Sequence, residues 1–238
     1  MAGDREDADV ETSSEDYARR FAGTVGEFFL AVQTRTTLAL LAPRAAVLEV
    51  GGGHGQLTGA LVDAGHEVTI FGSRDVCRER VRPWVDTGRA RFQAGDLLRL
   101  PFGDGCFDVV LAFRLLPHVT RWADLVGELC RVTRSAVIVD YPTRRSLNAL
   151  GGAFFGLKKG LEGNTRPFTV FRDLDVVEAF EAHGFEPSAR RPQFFFPMAL
   201  HRVMGMAAVS RGLEGAARLT GLTRSLGSPV ILKAQRRG

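Results

Sequence analysis

Three alternating glycines form the stretch of this 238-residue chain with the clearest chemistry. An apolar run over residues 46–50 leads directly into Gly51, Gly53 and Gly55. Glycine tolerates positive φ and has no Cβ, so the backbone of such a loop can approach a ligand closely. Glu49, two residues before the loop, suits a cationic ammonium group or its bridging water and would repel a pyrophosphate. The stretch therefore predicts a nucleotide-type cofactor site for a ligand with a cationic amino-acid head.

The spacing of these glycines differs from the dinucleotide fingerprint G-x-G-x-x-G. The last position of that fingerprint requires glycine or alanine, whereas counting from Gly51 gives Gln56 and counting from Gly53 gives Thr58. A glycine-rich surface turn explains so short a pattern about as well as a ligand site does. The rest of the chain decides between the two interpretations.

Further motifs follow in the order expected of an open α/β sheet. Strand-like and helix-like patterns alternate from residue 46 to residue 141, which favours a parallel sheet with helices on both faces. Agreement among several ordered motifs is more specific than any one of them. The distinctive segments are the glycine loop, Gly95-Asp96-Leu97, Leu100-Pro101-Phe102, a Phe-Asp-Val-Val strand at 107–110, Leu115-Leu116-Pro117-His118-Val119, a helix over 125–132 and a strand over 136–140.

Together these segments resemble the class I S-adenosylmethionine-dependent methyltransferases, in particular their small-molecule, quinone-pathway-like branch, over residues 45–141. The resemblance implies an α/β fold with a Rossmann-like, doubly wound and mostly parallel seven-stranded sheet. It also implies an antiparallel C-terminal hairpin, a helical N-terminal lid and helical insertions. The cofactor that it implies is S-adenosyl-L-methionine.

The same resemblance implies roles for residues of the donor site. The glycine loop would wrap the methionine part of the cofactor, Asp96 would bind the adenine amino group, and Leu97 would cover the ring. Arg20 and Arg35 are paired candidates for the methionine carboxylate. Taken alone, Asp96 is also a turn aspartate, and each arginine is also a surface residue. The implied cofactor-binding set is Tyr17, Arg20, Arg35, Glu49, Gly51, Gly52, Gly53, Gly55, Ser73, Asp96, Leu97 and Phe113.

The end of the second strand departs from the family pattern. An acid that grips both ribose hydroxyls is expected there, but the chain reads Gly72-Ser73-Arg74. Ser73 would replace it at reduced strength, because a neutral hydrogen bond is weaker than a charge-assisted one. The same residues also suit a 2′-phosphate bound by Arg74, so an NADP-dependent Rossmann reductase is an alternative. A non-catalytic S-adenosylmethionine-binding protein is another.

Methyl transfer from a sulfonium is an in-line displacement that depends on alignment and on exclusion of water. A base is needed only for a hydroxyl or carbon acid, and His118 is the candidate, because imidazole accepts a proton near neutral pH. A histidine that only holds the loop is the alternative reading. Asp140 and Tyr141, at the end of the fifth strand, are further catalytic candidates. We expect a small, hydrophobic or aromatic acceptor of secondary metabolism, methylated at oxygen.

The chain is long enough for one methyltransferase domain, and we expect it over residues 16–238, after a disordered acidic tail over residues 1–15. Ser13 is the predicted N-cap of the first helix. The parts of the domain are a helical lid (16–44), a donor-binding core (45–141), an acceptor cap (142–170) and a C-terminal sheet half with a helical insertion (171–238).

Composition limits the partners. The first 16 residues hold seven acids and one arginine, so the remaining 222 carry 30 basic and 20 acidic groups. These basic residues form no run of five and have no aromatic interleaving, so we expect a small-molecule acceptor and no nucleic acid. Three widely separated cysteines without paired spacing predict no metal site. With no long apolar stretch and no signal-peptide layout, we expect no membrane span and a cytoplasmic monomer or homodimer.

Overall fold

A computed structural model describes residues 6–147 and 168–238. Its seven-stranded sheet has the order β3-β2-β1-β4-β5-β7-β6. The first five strands run parallel, and β7 pairs antiparallel with both β5 and β6, which confirms the predicted Rossmann-like sheet with an antiparallel hairpin. The strands are β1 (Ala46–Val50), β2 (Glu67–Gly72), β3 (Ala90–Ala94), β4 (Phe107–Ala112), β5 (Thr133–Tyr141), β6 (Phe185–Phe194) and β7 (Ser228–Arg236).

Helices connect the consecutive strands that pair in parallel, because such strands need a crossover. Three 3₁₀ segments, Gly52–His54, Asp75–Val81 and Leu116–His118, lie at the carboxyl end of the sheet. The helices described are α1 (Ala8–Thr12), α2 (Glu15–Arg19), α3 (Gly23–Leu38), α4 (Thr58–Asp63), α5 (Arg82–Val85), α6 (Trp122–Val132), α7 (Asp173–Glu181), α8 (Met198–Met204), α9 (Ala207–Leu219) and α10 (Leu222–Leu226).

Each face of the sheet buries its own hydrophobic cluster, because successive strand residues point to opposite faces. On one face Leu48 of β1 shares a cluster with Leu129 of α6. On the other face Val47 shares a cluster with Leu61 of α4. The chain builds the sheet outward from β1 in one direction and from β4 in the other, so the strand order reverses between these two strands. Open α/β sheets bind ligands at such a point, beyond the carboxyl ends of the strands.

Residues 6–15 differ from the predicted disordered tail. They form α1, whose Ala8 and Asp9 are buried. An acidic composition favours disorder because it offers few apolar groups to bury. In α1, however, the methyl group of Ala8 and the carboxylate of Asp9 are buried against the rest of the domain. The N-cap of α2 is Ser14 rather than the predicted Ser13, because the Ser14 hydroxyl accepts a hydrogen bond from the Tyr17 amide at 3.2 Å.

The C-terminal half contains the predicted helical insertion, divided into α8, α9 and α10. Gly205 and Gly221 interrupt it with φ of 66° and 76°, a conformation that ends a helix. Most of the predicted acceptor cap, residues 142–170, lies outside the described residues. In the described ranges, no helix is both long and apolar enough to cross a membrane, and no His, Cys, Asp and Glu cluster is suited to a metal ion.

Candidate cofactor and acceptor site

The glycine loop leaves β1 through two residues in the left-handed region. Gly51 and Gly55 have φ of 70° and 68°, which L side chains rarely adopt. The Gly51 amide donates to the Phe71 carbonyl at 2.8 Å and ties the loop to the end of β2. Gly52 is needed for another reason, because a Cβ there would lie 2.6 Å from the Glu49 Cβ. Backbone conformation and the packing beneath the loop therefore both require glycine.

Glu49 is buried beneath the loop. Its Oε2 accepts a hydrogen bond from the Thr58 hydroxyl at 2.7 Å, which braces the loop against the first turn of α4. Burial raises the pKa of Glu49 to about 7, and the Thr58 hydrogen bond opposes this shift. A cation bound above the loop would favour the ionised carboxylate.

His54, inside the loop, is a positioning residue in its neutral form. Its Nδ1 accepts a hydrogen bond from the Gln56 amide at 3.1 Å. Burial, followed by the charge of Arg114, lowers the pKa of His54 to about 3. A ring that stays neutral and accepts a backbone hydrogen bond holds the turn in place.

The end of β2 places the predicted Ser73 in a fully buried position. Its amide donates to Asp9 Oδ2 at 2.7 Å, and the Cys77 thiol lies 3.4 Å from the same oxygen. Burial raises the pKa of Cys77 to about 11, with the Asp9 charge as the next cause. The end of β2 is therefore contacted by a carboxylate from α1, 64 residues earlier in the chain.

The residues predicted to contact the adenine and the adjoining site lie beyond β3 and β4. Asp96 Oδ1 accepts the Leu98 amide at 2.9 Å, which is the turn contact of a loop aspartate. Leu97 is buried and shares a cluster with Phe71. Phe113 is buried in the cluster of the opposite face. The side chains of Leu97 and Phe113 thus lie on opposite sides of the sheet.

Arg114 and Asp140 meet at the carboxyl ends of β4 and β5. Asp140 Oδ1 accepts the Arg114 amide at 2.6 Å, and Oδ2 lies 3.5 Å from Arg114 Nε. Arg114 Nη2 also donates to Gln33 Oε1 of α3 at 2.7 Å. Burial raises the pKa of Asp140, and Arg114 opposes the shift. Arg114 has a φ of 57°, which is uncommon outside glycine and marks a position held by its surroundings.

Two aromatic rings of the predicted lid (16–44) lie beside cationic groups near Arg114 and Asp140. The Tyr17 ring is buried 5.7 Å from the Phe21 ring. The guanidinium carbons of Arg20 and Arg114 lie 5.2 Å from the ring centroids of Tyr17 and Phe21 respectively. Arg202 of α8 lies 6.0 Å from the Phe21 centroid. Burial, then the charges of Arg20 and Arg114, lowers the pKa of Arg202. Three guanidinium groups therefore surround two aromatic rings.

Arg35, the other arginine predicted for the methionine carboxylate, does not join this group. It is exposed in the last turn of α3, whereas Gln33 is buried and reaches Arg114. Residues two apart on a helix point about 200° apart, so the turn that brings Gln33 inward directs Arg35 to solvent.

His118 and Tyr141 receive different surroundings. The His118 ring lies 5.4 Å from the Phe168 ring, and its charge favours the ionised form of Asp140. Tyr141 follows Asp140 in β5 and points to the opposite face, where it packs 5.9 Å from the Phe171 ring. The structure separates Tyr141 from the other catalytic candidates, because neighbouring strand residues alternate between faces.

Four residues of the site were absent from the predicted set. The position of Arg114, two residues after the central strand β4, is a signal that sequence alone offers. The remaining three come from α1, α3 and α8, and no motif marks them. The four are Asp9, Gln33, Arg114 and Arg202.

A buried polar network links α8 and α9. His201 Nδ1 lies 3.0 Å from Ser210 Oγ, and Nε2 lies 3.0 Å from Glu214 Oε1. Glu214 also accepts the amides of Phe195 and Phe196 at 2.9 and 3.0 Å. His201, Ser210 and Glu214 have no solvent exposure, so this network joins α8, α9 and the end of β6 rather than meeting a substrate.

The region that builds the site is also shared with known proteins. Residues 48–139 match the model of a methyltransferase domain family. The chain is 32% identical over 149 residues to a demethylmenaquinone methyltransferase of Beutenbergia cavernae, covering 59% of this chain and 61% of that protein. It is 30% identical over 111 residues to an O-methyltransferase of Pyrenophora dematioidea, covering 42% and 41%. The chain therefore spans less than two thirds of the length of these relatives.

The likeness of fold extends over nearly the whole chain. The crystal structure of magnesium protoporphyrin IX methyltransferase from Synechocystis PCC 6803, with bound S-adenosylhomocysteine, has a TM-score of 0.62 at 17% identity and covers 93% of both chains. Sheet order and glycine loop together define an α/β methyltransferase domain. Residues 48–139 belong to the methyltransferase domain family, and the chain as a whole has the fold of the class I S-adenosylmethionine-dependent methyltransferases.

Proposed function

We propose that this protein transfers the methyl group of S-adenosylmethionine to an oxygen atom of a small, hydrophobic or aromatic acceptor. The glycine loop at the switch point between β1 and β4 is the observation that carries this proposal. Its residues fit the cofactor, because Gly51 takes a backbone conformation that L side chains rarely adopt and a buried acid, Glu49, lies below the loop. The family match supports the same cofactor.

Residues of this chain would bind the cofactor and place charged groups beside it. The glycine loop, Asp96 and Leu97 would hold it, and Arg20 is the candidate for its carboxylate. When bound, S-adenosylmethionine supplies an electrophilic methyl group on a sulfonium. The protein has to align the acceptor oxygen with that methyl group and exclude water.

On the acceptor side, the rings of Tyr17, Phe21 and Phe168 suit an aromatic or hydrophobic molecule. His118 would take the proton of an acceptor hydroxyl at a ring nitrogen, and the nearby Asp140 carboxylate would stabilise the imidazolium that forms. Arg114 holds Asp140 in place through its amide.

Two other functions are tested against this one. An NADP-dependent reductase would use Arg74, but its guanidinium pairs with Asp7 at 3.2 Å, and the family match lies with methyltransferases. A non-catalytic cofactor-binding protein is favoured by one observation, namely that β2 ends in Gly72 and Ser73 without its own ribose-binding acid.

Calorimetry with S-adenosylhomocysteine and with NADPH separates these functions. We expect S-adenosylhomocysteine to bind and NADPH to give no saturable heat. Gly51→Ala should weaken the binding at least about tenfold, since the new Cβ is strained and lies 3.0 Å from Leu115. Gly88→Ala is the matched control, because Gly88 also has positive φ (72°) but no atom within 4 Å of the added Cβ.

Turnover with labelled S-adenosylmethionine tests the acceptor. Phenolic and hydroxyquinone-type compounds should accept label, whereas matched aryl amines should not. Label that appears only on the amines would contradict the choice of oxygen. Tight S-adenosylhomocysteine binding without transfer to any acceptor would favour the non-catalytic function.

A further inference from the structure

Residues 6–14, the cleft segment, cover the glycine loop and the end of β2. Ala8 joins the hydrophobic cluster that contains Phe71 and Leu97. The Ser13 hydroxyl lies where a Cβ on Gly53 would be. The first three glycines of the loop and Leu97 are buried in this arrangement. These are the surfaces that a bound cofactor would contact.

Asp9 is the centre of this cover. It is fully buried, and its Oδ2 accepts the Ser73 amide at 2.7 Å, at the strand end where the resemblance leads one to expect an acid. Its Oδ1 is buried and has no hydrogen-bond partner among the described residues. A buried carboxylate oxygen without a donor costs free energy, so a ligand that pairs better with this site can displace Asp9.

The N-terminal end of the cleft segment is held by weaker contacts at the surface. Glu6 Oε1 accepts the amides of Thr120 and Arg121 at 3.0 and 3.1 Å. Asp7 pairs with Arg74 at 3.2 Å, with both side chains partly exposed. Exposed ion pairs contribute little, and a helix of five residues does not persist without tertiary contacts. These contacts are weak enough for the segment to detach from the cleft.

We propose that the cleft segment is an intramolecular competitor of the cofactor. When the segment is docked, Asp9 accepts the Ser73 amide and Ala8 packs into the hydrophobic cluster that contains Leu97. Released, it exposes the glycine loop. This inference rests on the proposed function, because it needs a cofactor that binds the same cleft. If one molecule in ten is open, the apparent dissociation constant is about tenfold above that of the open cleft.

Calorimetry with S-adenosylhomocysteine on full-length variants tests this competition. Ala8→Arg cannot bury its side chain under the segment, and Asp9→Ala removes the contact with Ser73. Both variants should bind S-adenosylhomocysteine about tenfold more tightly than the unaltered protein. Ala216→Arg and Asp16→Ala are the matched controls, because they make the same changes at exposed positions and should leave the affinity unchanged.

Hydrogen exchange provides a readout that does not depend on affinity. The Ser73 amide should be protected in the unliganded protein and lose protection in Asp9→Ala. Adding S-adenosylhomocysteine to the unaltered protein should increase exchange within residues 8–13, because the ligand expels the segment.

The outcomes separate the two proposals. Equal affinity in all variants, with Ser73 protected only by Asp9, would overturn the competition and leave the proposed function standing. Weaker binding by Asp9→Ala would also overturn it, because Asp9 would then be a ribose ligand. Failure of every variant, including Ala8→Arg, to bind S-adenosylhomocysteine would overturn the proposed function and the competition together.

Discussion

The proposed donor side of this site is formed mainly by backbone, whereas the proposed acceptor side is formed mainly by side chains. The donor loop consists of backbone in special conformations, with Gly51 and Gly55 in the left-handed region and Glu49 buried below. The acceptor side consists of long side chains, among which Arg114 and Arg202 converge on Phe21 from separate segments. A loop that depends on glycine backbone conformation tolerates few substitutions. On a surface lined by side chains, single substitutions can alter which ligand binds.

The two sides also differ in how charge is handled. On the donor side the acid Glu49 has a single neutral donor, and burial raises its pKa to about 7. On the acceptor side Asp140 is buried as well, but Arg114 contacts both of its oxygens. The donor loop is therefore sensitive to pH, and the acceptor side depends on keeping an ion pair intact.

The largest effect should come from the network beneath the acceptor side. Glu214→Ala leaves the amides of Phe195 and Phe196 and the ring of His201 without their buried partner. We expect unfolding in urea to show a loss of about 3–5 kcal/mol. Glu178→Ala, at an exposed position of α7, is the control and should change little. A loss below about 1 kcal/mol for Glu214→Ala would mean that the network is not required.

A smaller effect should appear in the pH dependence of stability on the donor side. The folded protein holds the Glu49 proton up to about pH 7, whereas the unfolded chain releases it near the ordinary glutamate pKa of 4.5. Stability should therefore fall as pH rises through this window, by about 3 kcal/mol at most, and level off above it.

Glu49→Gln should remove that slope, because a neutral amide does not titrate. Glu27→Gln, at an exposed position of α3, is the control and should keep it. Denaturation curves from pH 4 to pH 8 give the measurement. Equal slopes in Glu49→Gln and the unaltered protein would show that Glu49 is not the group responsible.

The next largest effect should be a loss of turnover without a loss of cofactor affinity. If His118 takes the proton of a hydroxyl acceptor, His118→Ala should lower turnover by ~10²-fold and leave S-adenosylhomocysteine affinity nearly unchanged. The pH-rate profile should lose the limb that titrates where imidazole does. A variant that stays active, with a flat profile between about pH 6 and pH 8, would return His118 to a loop-holding role.

The smallest effect concerns the exposed pair between Arg74 and Asp7. Arg74→Ala should change the free energy of unfolding by less than about 1 kcal/mol, because both partners are partly exposed. If this pair helps to dock the cleft segment, S-adenosylhomocysteine should bind about twofold to fivefold more tightly. If NADPH binds saturably and Arg74→Ala abolishes that binding, the NADP-dependent reductase would be supported instead.

Much of the donor side could be predicted because its signals are local. The run of residues 46–50 forms β1 as predicted, and Gly51 follows it in a left-handed conformation. Predictions failed where a partner came from far away in the chain. The acidic composition around Asp9 predicts disorder, and only its docking beside Ser73 makes that segment ordered.

The sequence by itself determined the order of strands and helices, the glycine loop and the family, because strand periodicity and glycine conformation depend on neighbouring residues. The tertiary structure decided which side chains share a cleft. It brought Asp9 to Ser73 and Gln33 to Arg114, and it turned Tyr141 away from Asp140. Such contacts join residues up to 81 positions apart, and nothing in a local pattern encodes the direction from which a distant side chain arrives.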